Sequence, residues 1–231
     1  MASGSGLASR DLLHTGLQMG RTSLSLSSPC HMLDPVQLLS AYCEGAFPMG
    51  DEGGRISWFR PPHRGILPIA DFHVPRRFAR YLRDHPFEVR WNTSFGDVMR
   101  GCADRPETWI TDAILDSYQE LHRLGFAHSA EVWRGSRLVG GVYGVSIGGA
   151  FFGESMFSRE TQASKVALTH LQWRLKERGF IVHDTQWTTD HLASLGGYEI
   201  PCADYLDLLH RAIRLPVTFD DRPLGAHMVF R

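Results

Sequence analysis

The sequence is short of everything that would mark a metalloprotein, a disulfide scaffold or a membrane protein. Its four cysteines, Cys30, Cys43, Cys102 and Cys202, lie far apart with no C-x-x-C pair among them. That spacing indicates neither a zinc knuckle nor a disulfide framework and fits a reducing cytoplasm. The 12 histidines are scattered, without H-x-x-x-H or mixed Cys/His spacing, so no metal is expected. No apolar run approaches the roughly 18 residues that a membrane span requires. Charge of one sign is missing too. The formal net charge is −1, which argues against a diffuse nucleic-acid-binding surface and leaves only a local basic patch for such a partner.

What remains is the composition of a globular protein. At 231 residues and 43% hydrophobic, the chain can bury a substantial core in one or two domains. Residues 1–30 differ from the rest: they are rich in Ser and Gly, set Arg10 and Arg21 against Asp11, and have no apolar h-region. An organelle transit peptide has that composition, and so does a disordered extension or a stretch ahead of a true start near Met32. Disorder is the expectation for 1–32. A small module is expected over 33–74, a larger domain over 75–215 and a loose tail over 216–231.

The small module reads as a short helix over Pro35–Glu44, followed by Pro/Gly-rich turns around two strand candidates. A helix over Pro75–Arg83 comes next, with Pro75 suited to its first turn. Arg76, Arg80 and Arg83 recur along one stripe of it, opposite Phe78 and Leu82. Ile114, Leu115, Tyr118, Leu121 and Leu124 keep helical spacing between a cap at Thr111 or Asp112 and a stop at Gly125. Strands over Ala130–Trp133, Leu138–Tyr143 and Ala150–Phe152 form a meander. A helix from about Thr161 to Arg178 stops at Gly179, and Phe180–Trp187 reads as a strand. In that strand, two-residue alternation puts Asp184 and Gln186 on one face with Phe180 and Val182, and His183 on the other. A carboxylate directed into an apolar layer costs several kcal/mol unless compensated. The pair is therefore either a satisfied structural network or a working site.

This strand does not stand alone. Upstream lie Gly153-Glu-Ser-Met-Phe-Ser-Arg159 and Ala163-Ser-Lys165, and downstream His191-Leu-Ala-Ser-Leu-Gly196. Nearer the N-terminus are Tyr42-Cys-Glu-Gly-Ala-Phe-Pro48, Ile56-Ser-Trp-Phe-Arg-Pro-Pro62 and Thr108-Trp-Ile-Thr111. Leu121-His-x-Leu-Gly125 leads to His128-Ser129, and Leu138-Val-Gly-Gly-x-Tyr-Gly144 follows. In this order and spacing, over roughly residues 35–210, the motifs resemble the leucyl/phenylalanyl-tRNA–protein transferase family.

The resemblance implies an α+β (mixed α/β) fold: a small N-terminal α/β module and a C-terminal GNAT-like acyltransferase domain with a mixed, mainly antiparallel sheet. The order of three antiparallel strands, a helix and a further strand agrees with it. The activity implied is aminolysis. Leu or Phe, and also Met, would pass from aminoacyl-tRNA to the N-terminal Arg or Lys of acceptor proteins, marking them for the N-degron (N-end rule) degradation pathway. Leucyl-tRNA, phenylalanyl-tRNA and those acceptors would be the partners of a cytoplasmic monomer, with no cofactor, because an aminoacyl ester is already activated.

By motif position, the catalytic set is Asp184, Gln186 and Glu154. The Gln186 carbonyl can accept a hydrogen bond from the incoming amine. Its proton passes to Asp184, is only polarised by it, or moves within the tRNA ribose; the sequence leaves all three open. Glu154 would orient substrate. Aminoacyl-tRNA would be bound by Trp58 and Trp109, as base-stacking platforms, and by Arg76, Arg80 and Arg83. The amino-acid side chain would enter a pocket of Val142, Phe152, Ser155, Met156, Leu168, Leu171 and Leu175. The chain departs from the family pattern at His183, where an aliphatic residue is common, and at Val142, which is small for its position; both bear on side-chain selectivity.

Two other classes fit less well. A coenzyme A-dependent N-acetyltransferase needs a Gly-rich cradle for the pyrophosphate, and Arg159-Glu-Thr-Gln-Ala-Ser164 has no glycine and adds the charge of Glu160. A non-catalytic tRNA- or degron-binding module would have no use for Asp184-x-Gln186. Gly153-Glu-Ser-Met-Phe157 lacks the second glycine of a nucleophile elbow.

Overall fold

Asp34 opens the first helix by accepting the Gln37 N–H on its side chain at 3.0 Å, and Pro35 fills a position where no N–H is needed. The computed structural model describes residues 32–221, so the expected disorder of 1–31 and the last ten residues of the expected tail lie outside the described residues. The opening helix is α1 (Pro35–Cys43), and it is followed by the hairpin strands β1 (Phe47–Gly50) and β2 (Ile56–Phe59). Next come β3 (His63–Ile66), α2 (Arg76–Asp84), β4 (Glu88–Trp91), α3 (Phe95–Ala103) and α4 (Asp112–Arg123). Thr111 caps α4 through the Ile114 N–H, and Ile114, Tyr118 and Leu121 form its buried stripe.

The meander is β5 (Ala127–Arg134), β6 (Arg137–Ile147) and β7 (Ala150–Ser158). Then α5 (Ala163–Arg178) ends at Gly179, whose φ of 82° is the left-handed value a helix stop favours. The chain closes with β8 (Val182–Gln186), α6 (Asp190–Ala193), β9 (Tyr198–Pro201) and α7 (Cys202–Ala212). Seven strands form one sheet in the order β4-β5-β6-β7-β8-β3-β9. Every neighbouring pair is antiparallel except β7 and β8. The sheet is therefore mixed and mainly antiparallel, in an α+β fold with the expected strand and helix order. One core cluster joins α1, α3, α4 and α7, and a second lies under α5.

Several expectations need correction. The third meander strand runs to Ser158, not Phe152, because pairing with β6 continues past Gly153; the extension carries Glu154. Phe180 does not share a face with Val182. It lies ahead of β8 and packs in the second cluster, whereas Val182 packs in the first. Alternation does hold for His183, which meets Phe151 edge-on on the side away from Asp184. β3 leaves the N-terminal hairpin and pairs with β8 and β9 inside the large sheet. Residues 216–221 are not loose: Phe219 is buried against His128, Phe151 and Trp91.

Candidate active site

Strands β7 and β8 run side by side only from Ala150–Val182 to Phe152–Asp184. Beyond that point Glu154 and Gln186 face each other from the two strands, with Gln186 Nε2 3.4 Å from Glu154 Oε1. A register shift in the β3–β8 pairing falls at Gly65 and Ile66. There Gln186 takes a φ of 60°, a left-handed value that costs a residue with a side chain on the order of 1–3 kcal/mol. Neighbours compensate. The Gln186 N–H donates to Asp184 Oδ1 at 2.8 Å, and Gly65 allows the strands to close in, since a Cβ there would lie 2.5 Å from the Trp187 carbonyl carbon.

Asp184 is fully buried and fully used. Its Oδ1 accepts Arg64 Nε–H at 2.8 Å as well as the Gln186 N–H, and its Oδ2 accepts Arg64 Nη2–H at 2.7 Å and the Tyr205 hydroxyl at 2.6 Å. The Arg64 guanidinium also donates to Gly45 O at 2.9 Å and lies between the rings of Phe47 and Tyr205, 4.7 Å from each centroid. Burial draws the Arg64 pKa down, but the Asp184 charge and hydrogen bonds more than offset this and leave it raised. Asp184 thus anchors the turn that presents Gln186, through an ion pair that welds β3, β8 and α7.

Glu154 is the less deeply buried of the two carboxylates. Tyr42 Oη–H donates to its Oε1 at 2.7 Å, and the one Tyr118 Oη–H is shared between the Tyr42 hydroxyl oxygen and Oε2, which lies 3.3 Å away. Burial pushes Glu154 up to about 8, Asp184 adds to the rise, and the tyrosine hydrogen bonds and Arg64 work against it. Tyr42 and Tyr118 are held well above the usual phenol range, by burial first and by the Glu154 charge second. Both are therefore donors at neutral pH. With the Gln186 NH2 turned to Glu154, its carbonyl oxygen is the amide atom left to accept a hydrogen bond.

Of the other expected residues, Trp58 and Trp109 are half-buried against the first core cluster, as is Trp187, which meets Phe47 edge-on at 5.1 Å. Gly50 N–H donates to Trp109 O at 3.1 Å and so ties β1 to the Thr108–Thr111 segment. Arg76, Arg80 and Arg83 form an exposed stripe on α2 opposite buried Phe78, and none of them carries an ion pair among the described residues. Of the seven side-chain-pocket residues, five come together and two lie elsewhere. Val142, Leu168, Leu171 and Leu175 are buried in the second cluster with Met156 packed against it; Phe152 belongs to the first cluster beneath Tyr42; and Ser155 accepts Arg105 Nη2–H at 2.6 Å.

Sequence reasoning missed Arg64, Tyr205 and the roles of Tyr42 and Tyr118. The demand of a buried Asp184 for a cation pointed to an arginine near a motif, and Arg64 follows Ile56–Pro62 by two residues. Tyr42 opens one motif, and Tyr118 sits on a helical apolar stripe where its hydroxyl is invisible. At the start of α5, Gln162 has a φ of 71°, the Ser164 N–H donates to Ser158 Oγ at 3.2 Å, and the Ala163 N–H donates to Glu160 O at 3.1 Å. The chain itself occupies the donors that a pyrophosphate would need. No group of three or more His, Cys, Asp or Glu among the described residues is placed to hold a metal.

Comparison with known proteins adds a family. Residues 66–210 match the family model described as leucyl/phenylalanyl-tRNA protein transferase, and residues 31–62 match that of its N-terminal domain. A leucyl/phenylalanyl-tRNA–protein transferase of Phenylobacterium zucineum (strain HLK1) is 52% identical over 192 residues, covering 80% of this chain and 87% of the relative. One from Akkermansia muciniphila is 50% identical over 186 residues, covering 78% and 96%. Among solved structures, L-PGS from Bacillus licheniformis shares 12% identity at a TM-score of 0.38, over 68% of this chain and 55% of that one, an overlap too partial to bear on function.

Proposed function

The chain belongs to the leucyl/phenylalanyl-tRNA protein transferase family, and from that premise we propose how its residues carry out aminoacyl transfer. It is an aminoacyltransferase that moves an amino acid from aminoacyl-tRNA to a protein. In our reading the amino acid is Leu or Phe, and also Met, and the acceptor is the α-amine of an N-terminal Arg or Lys on a protein thereby directed to the N-degron pathway. The enzyme works as a monomer in the cytoplasm. No described helix is long and apolar enough to cross a membrane.

The observation that carries the mechanism is the saturation of Asp184 by four protein donors. It has no lone pair aimed at substrate, so Glu154 and Gln186 are the groups that meet the amine. The Glu154 carboxylate, raised to about 8, is matched to an α-amine, whose ordinary pKa is about 7.7–8.0, so the proton passes between them with little energetic cost. The Gln186 carbonyl holds a remaining N–H and fixes the angle of attack. The amine nitrogen bonds to the ester carbonyl carbon, the carbon–oxygen bond to the ribose breaks, and the ribose oxygen leaves as a hydroxyl with a proton. Trp58 and Trp109 stack on the terminal bases, and the α2 arginines contact tRNA phosphates.

Incubating the full chain with leucyl-tRNA and peptides starting with Arg or Ala tests the reading. Mass spectrometry should show one added Leu on the Arg peptide and little on the Ala peptide. An intact aminoacyl ester with no product on either would sink it.

A further inference from the structure

Beside α3 and β7 runs a polar groove, made of two adjoining cavities, that no role yet covers. Its outer part is a cavity of about 540 Å³ lined by Arg100 of α3, Arg137 of β6 and Arg159 beyond β7, with Asp97 and Glu160. Next to it, a cavity of about 240 Å³ lies between the end of α3 and Met156–Arg159, and Arg159 lines both. Arg105 lines the inner cavity and donates to Ser155 Oγ at 2.6 Å, one residue from Glu154. The outer end meets α2. Lys165 Nζ sits 4.7 Å over the Phe78 ring and Tyr81 Oη is 3.5 Å from Thr161 O, one residue from Glu160.

The charges in this groove are unequally matched. Glu160 is held by Arg134 at 2.6 Å and Arg137 at 2.5 Å, and Asp97 by Arg100 at 2.8 Å. Among the described residues Arg159 has one long ion pair, with Asp104 at 3.8 Å, donates to Leu138 O at 3.5 Å, and lies with its guanidinium 5.2 Å over the Phe157 ring. Four arginines, Arg100, Arg105, Arg137 and Arg159, line the two cavities against the three carboxylates Asp97, Asp104 and Glu160, and the lining reaches from Glu160, near α2, to Arg105, whose partner Ser155 is next to Glu154 in the chain. An elongated polyanion whose end reaches the site fits that lining. We propose that this groove seats the phosphodiester backbone of the single-stranded 3′ end of the aminoacyl-tRNA, with Arg100 and Arg159 as its phosphate ligands. The proposal rests on aminoacyl-tRNA being the donor, and it separates two electrostatic zones: α2 for the folded body of the tRNA and the groove for its unpaired end.

The test uses the full chain, Arg100→Gln/Arg159→Gln and Arg159→Lys with three donors: leucyl-tRNA, a leucyl ester of the trinucleotide CCA, and leucyl-adenosine, which carries no phosphodiester. In the double variant, the ratio of kcat/KM for leucyl-CCA to that for leucyl-adenosine should fall by roughly tenfold or more, the factor one charge-assisted hydrogen bond supplies. The salt dependence of leucyl-CCA binding should flatten by about 0.7 in log–log slope for each phosphate that is no longer neutralised. Arg159→Lys, which keeps the charge, should recover most of the ratio. An unchanged ratio, or an equal loss for both short donors, overturns the groove assignment, as does a loss confined to the KM of the acceptor peptide. Failure of the unaltered chain to transfer from any donor would instead strike the donor reading itself.

Discussion

Glu154 and Asp184 show how environment divides work between two carboxylates. Asp184 is locked by Arg64, Tyr205 and the Gln186 N–H, whereas Glu154 is pushed up to about 8 chiefly by burial; in the mechanism proposed above the first positions and the second exchanges protons. Glu154→Gln should lower kcat by roughly 10²-fold, at the low end for general base loss, with little change in KM for aminoacyl-tRNA. A kcat equal to that of the unaltered chain would remove Glu154 from the chemistry. Its stability has a sign of its own. A folded-state pKa of about 8 stands above the unfolded value of about 4.3, so the folded chain binds this proton more tightly. That contribution is complete below the unfolded value and is lost as pH rises through about 8. Relative to the unaltered chain, Glu154→Gln should therefore gain stability in denaturant titrations as pH rises from about 4.3 to about 8.

The ion pair gives a second prediction at this scale. Arg64→Met leaves Asp184 buried without its cation and should cost about 3–5 kcal/mol. Adding Asp184→Leu should restore much of that stability but not transfer, because the anchor for the Gln186 turn is gone. A double variant that regained activity would show that Gln186 holds its conformation unaided.

Element α2 presents Arg76, Arg80 and Arg83 to solvent and Phe78 to the core, so its charges can change without disturbing its packing. Replacing the three by Gln should weaken full-length tRNA binding and reduce the slope of log affinity against log salt by about 0.9 for each duplex phosphate it neutralises. An unaltered slope would assign the stripe to solvent. On β7 the local pattern misleads. Gly153-Glu-Ser reads as the end of a strand, yet Gly153 is small because His183 packs there, 2.8 Å from where its Cβ would be, and the strand continues to Ser158.

Across the whole molecule, residues 216–221 close the face of the sheet opposite the site. Phe219 stacks on His128 at 4.3 Å and lies under Arg174, and Asp220 accepts Asn92 Nδ2–H at 2.7 Å. Phe219→Ala should cost roughly 3–5 kcal/mol, the usual range for a buried aromatic truncation, and lower Tm measurably. Catalysis at permissive temperature should be spared because the segment lies across the sheet from Glu154. A Tm unchanged by the substitution would mean that this segment docks without stabilising the fold.

Periodicity and motif order were enough to place α1, α2, α4 and α5, the β5–β7 meander, the Asp184–Gln186 strand and the family, because caps, glycine stops and alternating apolar positions act over a few residues. Glu154, Gln186 and the arginine stripe could be read for the same reason. Tertiary structure alone decided the rest. Arg64 and Tyr205 reach Asp184 from positions 120 and 21 residues away, and no local pattern encodes which distant donor satisfies a buried charge. Among the pocket residues read from the motifs, Phe152 and Met156 fall on opposite sides of the sheet although their even spacing would put them together, since a bulge in β7 between Gly153 and Ser155 reverses the alternation. The left-handed turn at Gln186 depends on Gly65 of another strand. Local physics writes elements into sequence, but the environments of the two carboxylates come from burial and hydrogen-bond partners, which exist only once α1, α4, β3, β7, β8 and α7 have packed together.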